Sequence, residues 1–94
     1  MPLTKIADGI RTGLAGRSFD GSLKFDCGAD GVIILATGDV STVDRDTDCA
    51  LHLSTENLQK LLAGKLNPMT AVMLGKIRIT GDMPTALKLA RLLG

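Results

Sequence analysis

A chain of 94 residues has room for a single domain, taken here as residues 1–94, and Phe19 and Phe25 are its only aromatic side chains, so it lacks the stacking platforms on which single-stranded nucleic acids lie. Its 45% hydrophobic content is aliphatic, and its longest apolar run, Val32 to Ala36, is far short of the roughly 20 residues that span a bilayer. The net charge of +1 conceals −4 over residues 1–56 and +5 over residues 57–94, a C-terminal excess that suits either an anionic surface or headgroup or an ordinary solvated face.

Met1 to Asp8 lacks the basic start and continuous apolar stretch of a secretory signal, which makes the cytoplasm the expected location. Leu3, Ile6, Ala7, Ile10 and Leu14 then recur on one helical face, and Gly16 is a natural stop. After a link from Arg17 to Gly21, in which Phe19 is the expected core anchor, the period changes to two. Leu23, Phe25 and Cys27 alternate with Ser22, Lys24 and Asp26, the pattern of a half-buried strand. Gly28-Ala29-Asp30-Gly31 supplies hairpin chemistry, and Val32 to Ala36 follows as a strand apolar on both faces. A turn at Gly38-Asp39, an edge strand from Val40 to Arg45 and an alternating strand from Asp48 to Ser54 complete an expected four-stranded antiparallel meander.

Helices dominate the remainder. Ser54 or Thr55 caps a helix whose apolar stripe is Leu58, Leu61, Leu62 and Leu66, with Glu56 suited to its first turn. Asn67-Pro68 reads as an N-cap followed by proline at the first helical position, which predicts a short helix ending at Gly75. Lys76 to Thr80 alternates again as a fifth strand. Asp82 and Pro84 mark entry to a last helix, Thr85 to Leu93, whose apolar arc is wider than a core-facing stripe requires.

Reactive chemistry is scarce. His52 is the only histidine, and no serine-histidine-acid pattern accompanies it in the sequence, so it is read as structural and no catalytic residue is assigned. Asp44-Arg45-Asp46-Thr47-Asp48 imitates the start of a calcium loop, but Cys49 and Thr55 stand where glycine and glutamate are required. Gly64-Lys65 and Gly75-Lys76 lack the Ser or Thr of a phosphate loop. Cys27 and Cys49 have no metal-ligand spacing and are expected as buried free thiols. No metal and no cofactor is expected. Met69, Met73 and Met83, set among leucines and isoleucines, suit either an adaptable apolar pocket or an ordinary core.

The run Gly64-Lys65-Leu66-Asn67-Pro68-Met69, followed by Met73, Gly75-Lys76-Ile77 and Ile79-Thr80-Gly81-Asp82, resembles the C-terminal signature of sterol carrier protein type 2 domains. The order helix, four strands, two helices, strand, helix resembles that family over almost the whole chain. The resemblance implies an α+β fold: a five-stranded, mostly antiparallel mixed sheet covered on one face by helices, with an apolar tunnel between them. It also implies non-catalytic binding or transfer of a fatty acid, an acyl-CoA, a sterol or an isoprenoid. On that basis the lining candidates are Leu51, Leu53, Leu62, Leu66, Met69, Val72, Met73, Ile77, Ile79, Met83, Leu87 and Ala90. Lys65, Lys76, Lys88 and Arg91 are the headgroup candidates.

The chain ends Leu92-Leu93-Gly94 rather than in a Ser-Lys-Leu address, and so resembles a free-standing microbial domain. Scarce aromatics place a linear acyl chain beside sterol among the expected ligands. The expected partners are the lipid and, transiently, an anionic membrane surface, with no nucleic acid, in a monomer or weak homodimer. The alternative is an interaction or dimerisation module that docks through the last helix and holds no ligand.

Overall fold

The computed structural model describes residues 3–14, 21–36 and 39–93, with side-chain surroundings in the last helix described as far as Lys88. The expected roles of Gly16, Phe19 and Gly38 lie outside these residues. Helix α1 (Leu3–Gly13) leads into strands β1 (Ser22–Asp26), β2 (Val32–Ala36), β3 (Asp39–Ser41) and β4 (Cys49–His52). Helices α2 (Thr55–Leu62) and α3 (Pro68–Met73), strand β5 (Arg78–Gly81) and helix α4 (Met83–Leu93) follow.

Local chemistry accounts for most of these boundaries. Ser54 caps α2, its side chain accepting from the Asn57 N–H. The Asn67 side chain accepts from the N–H groups of Met69 and Thr70, with Pro68 in the first turn, so two otherwise orphaned donors are satisfied where proline has none to offer. A short 3₁₀ turn, Gly28–Asp30, joins β1 to β2.

The sheet order is β3-β2-β1-β4-β5. The first three strands form the predicted antiparallel hairpins, but β4 does not continue the meander. It pairs in parallel with β1, Leu23 opposite Cys49 and Phe25 opposite Leu51, and β5 then adds antiparallel to β4. The connection, residues 42–48, is held to β1 by polar contacts. Lys24 Nζ meets Asp44 Oδ1 at 2.6 Å; the Asp48 N–H donates to Ser22 Oγ at 2.7 Å, and the Ser22 N–H donates to Asp48 Oδ2 at 3.0 Å. Three inter-strand spacings are about 15 Å, within reach of that segment but beyond a tight hairpin turn.

Register sorts the side chains. Leu23, Phe25, Ile33, Leu35, Val40, Cys49 and Leu51 share the inner face and join one core with Leu3, Ile6, Ala7 and Ile10 of α1 and Leu58 and Leu61 of α2. Helix α1 lies over β2 and β3, and α4 over β1, β4 and β5. Ile34 and Ala36 are buried on the other face, beside a cleft of about 210 Å³ lined also by Asp39, Ser41, Val43 and Arg45. This accounts for the doubly apolar β2: both of its faces are covered.

Candidate functional site

The inner sheet face is unevenly covered. Leu23, Phe25 and Ile33 are 0% exposed and Leu51 is 2% exposed, whereas Ile79, the register partner of Leu51 on β5, is only half-buried. Strand β5 is an edge of the sheet. Leu62, Leu66 and Val72 are also partly buried and packed against the core, and Leu87 is half-buried on α4. Half-buried apolar side chains thus occur on the end of α2, in the α2–α3 connection, on α3, on β5 and on α4, an apolar seam of the cover that is neither sealed nor fully exposed.

The predicted lining residues divide into three groups. Leu51, Leu53 and Ile77 are buried in the core. Leu62, Leu66, Val72, Ile79 and Leu87 form the half-buried seam. Met69 at 46%, Met73 at 84% and Met83 at 49% exposure point outward, so the three methionines do not fill the interior that their composition suggests. For Met69 and Met73 the physical reason is on α3, where the completely buried Ala71 is the residue that faces the core; positions two residues either side of it fall on the opposite side of the helix. Lys65, Lys76 and Lys88 are exposed. Ala90 and Arg91 lie on α4 beyond the described side chains. Ala86, buried completely on α4, escaped the sequence candidates because a lone alanine within a wide apolar arc carries no distinctive signal.

His52 has neighbours that its sequence context did not reveal. On the outer sheet face its Nε2 lies 2.9 Å from Thr80 Oγ1, and its Nδ1 lies 3.4 Å from Asp26 Oδ2. Register makes this cluster, since Asp26 is opposite His52 and Thr80 is opposite Ala50. The three residues lie on the face opposite the apolar seam. Both cysteines are free and buried. Burial raises the Cys27 thiol above its ordinary range, and burial, with Asp48 and Asp82 nearby, pushes Cys49 up to about 11. Neither is primed as a thiolate nucleophile. Among the described residues no group of three or more His, Cys, Asp or Glu is placed to hold a metal ion, and no helix is long and apolar enough to cross a membrane.

Residues 11–94 match the model of the SCP-2 sterol transfer family. The chain belongs to that family. Sterol carrier protein 2 of Oryctolagus cuniculus is 41% identical over 49 residues, which cover 52% of this chain and 9% of that protein; the chain thus spans only a small part of the curated relative it matches. Sterol carrier protein 2 from Yarrowia lipolytica, in its apo form, superposes with a TM-score of 0.76 at 25% identity, covering 94% of this chain and 86% of the other. Palmitated SCP2L2 from Aedes aegypti shares the fold with a TM-score of 0.71 at 24% identity, covering 99% of this chain and 95% of that one. The five-stranded mixed sheet and four helices are therefore the family's architecture, and family membership carries lipid binding or transfer as the general function.

Proposed function

We propose that this domain is a non-catalytic cytoplasmic carrier of a linear acyl tail, held as a fatty acid or an acyl-CoA in a tunnel that opens at the β5 seam. The observation that carries this reading is the contrast across one register pair, with Leu51 sealed and Ile79 half-open on the same sheet face. An acyl tail entering there lies on the inner face of β4 and β5 and parts α3 and α4 from the sheet. Each methylene removed from water contributes about 0.8 kcal/mol, so a ten-methylene stretch supplies roughly 8 kcal/mol before ordering and core displacement are subtracted. Exposed Lys65 and Lys76, sequence neighbours of Leu66 and Ile77, are the candidates to meet an anionic headgroup, with Lys88 and Arg91 further along the chain on α4. The palmitated state of the Aedes aegypti relative supports an acyl ligand, and the absence of Trp and Tyr removes the flat platforms that suit a rigid ring system.

Native mass spectrometry of protein purified without denaturant should show a co-purified lipid, and a fluorescent fatty-acid probe should bind at micromolar concentration. Ile79→Lys places a charge in the seam and should weaken probe binding at least tenfold, which corresponds to about 1.4 kcal/mol. Val43→Lys, on the exposed far face, should leave it unchanged. An empty protein that also ignores the probe would overturn the proposal.

A further inference from the structure

The outer sheet face carries a cleft that the carrier site does not use. Its buried lining is Ile34 and Ala36, 1% and 7% exposed. Asp39 and Ser41 of the edge strand β3 stand beside them, and Val43 and Arg45 of the crossing segment complete it. Register sets the groups in two rungs, Ile34 opposite Ser41 and Ala36 opposite Asp39, and two residues along a strand separate such rungs by about 7 Å. The volume of about 210 Å³ holds about seven waters at roughly 30 Å³ each. Pockets for drug-sized ligands begin at about 300 Å³, so this one suits a molecule of metabolite size.

Two opposite charges line this cleft without meeting. Among the described residues neither Asp39 nor Arg45 forms an ion pair, with the other or with any third group. Asp44, the acidic neighbour that could take Arg45, is held by Lys24 at 2.6 Å. Asp39 Oδ1 accepts from the Val40 N–H at 2.8 Å, which steadies the carboxylate and leaves its second oxygen to accept. Ser41 Oγ accepts from the Val43 N–H at 3.0 Å, so its own proton is available to donate. The cleft therefore offers a carboxylate on the Ala36 rung, a hydroxyl donor on the Ile34 rung, a guanidinium, and an apolar surface between the rungs. A ligand that is only an anion is repelled by Asp39, and one that is only a cation by Arg45. A zwitterion answers both.

We infer that this outer-face cleft binds a short linear ω-amino acid. The ligand's ammonium donates to Asp39, its methylenes lie on Ala36 and Ile34, and its carboxylate accepts from the Ser41 hydroxyl and from Arg45. Charged ends held apart by methylenes match the two rungs, whereas an α-amino acid carries both charges on one carbon. 4-Aminobutanoate has about seven non-hydrogen atoms, the number of waters the cleft accommodates. The inference does not rest on the carrier reading, since none of these residues belongs to the seam.

Titrating the nitrogen-15-labelled chain with 4-aminobutanoate, followed through its amide NMR shifts, tests this. Saturable shifts should centre on Ile34, Ala36, Ser41 and Arg45 at millimolar ligand and weaken as salt is raised. Butanoate lacks the ammonium, n-butylamine lacks the carboxylate, and 2-aminobutanoate carries both charges on one carbon; each should bind about fivefold more weakly, the loss of one exposed charge contact. Asp39→Asn keeps the oxygen that accepts from Val40 and should lose about fivefold for 4-aminobutanoate but nothing for butanoate. Arg45→Gln should lose about fivefold for 4-aminobutanoate but nothing for n-butylamine. Lys5→Gln on α1 should bind as wild type. The analogue series uses the wild-type chain, so it decides the matter even where a variant fails to fold. No saturable shift, equal binding by any of the three analogues, wild-type affinity in either cleft variant, or shifts centred on Ile79 would each overturn the inference. A chain that binds 4-aminobutanoate but neither lipid nor fatty-acid probe sinks the carrier reading alone, and one that binds the probe but not 4-aminobutanoate sinks this inference alone.

Discussion

Gly81 is where the smallest change in the chain should do the most damage. It adopts φ +84°, and a methyl group added there would lie 2.5 Å from the Asp48 carbonyl oxygen and 2.9 Å from Cys49 Cα. Both are backbone atoms, so neither can swing aside. The left-handed conformation alone costs an alanine about 1–2 kcal/mol. Relieving the clash requires β5 to move off the start of β4, which breaks the bond from the Asp82 N–H to the Asp48 carbonyl, 3.0 Å long, at a cost of about 1 kcal/mol. Gly81→Ala should therefore lose roughly 2–3 kcal/mol of the 5–15 kcal/mol typical of a domain. At about 4–8 °C per kcal/mol for a domain of this size, the midpoint should fall by roughly 8–24 °C. Gly64→Ala is the comparison, because Gly64 has a similar φ of +75° but nothing within 4 Å of the added carbon; it should show the conformational cost without the collision. Thermal and urea unfolding followed by circular dichroism measures both. Equal midpoints for the two variants would refute the argument that backbone contact, rather than φ, makes Gly81 necessary.

Asn67→Ala removes the acceptor for the N–H groups of Met69 and Thr70 and should cost about 1 kcal/mol in urea unfolding; an unchanged midpoint would mean that water caps α3 equally well. Cys49, raised from an ordinary 9.0 to about 11, should react with Ellman's reagent at pH 8 about 100-fold more slowly in the folded chain than in urea, from its scarcer thiolate alone. The raised folded pKa also means that the thiol's contribution to stability is present below pH 9 and lost as pH rises toward 11, because the unfolded thiol ionises first. Equal labelling rates in the two states would contradict the burial that raises it.

Signals confined to a few residues were legible in the sequence, and long-range pairings were not. Asn67-Pro68 announces α3 because cap and proline act within one turn. Its expected stop, Gly75, stands two residues past Met73 at φ +74° and closes the helix, the Gly75 N–H donating to the Val72 carbonyl and the Lys76 N–H to the Ala71 carbonyl, so this end too is a local signal. The alternation of Cys49, Leu51 and Leu53 identifies a strand but not its partner, so β4 was expected beside β3 and lies beside β1. That placement is accompanied by the fit of Asp44 to Lys24 and of Asp48 to Ser22, 20 and 26 positions away. His52 repeats the point, since register alone gathers Asp26 and Thr80 around it. The α+β order and the family were readable because the Leu62 to Asp82 stretch carries several local signals in sequence. Which of its methionines point outward was not, because that depends on Ala71 being the residue that fits against the core.

The crossing of residues 42–48 also explains why the open seam lies where it does. Had β4 closed a simple meander, β1 would have been left as an edge and its fully buried Leu23 and Phe25 would have lost one flank. Inserting β4 beside β1 puts these residues mid-sheet, with Leu35 and Cys49 flanking Leu23, and Ile33 and Leu51 flanking Phe25. The edge passes to β5, whose described strand has only Ile79 to offer the inner face before Gly81 approaches the β4 backbone. A chain of this length buries little surplus area, so it cannot keep a large empty cavity in the middle of its core. Space for a ligand is least costly at the margin, where side chains are already half-exposed. On the carrier reading, the parallel insertion of β4 thus separates the stability of the domain from the seam that must open.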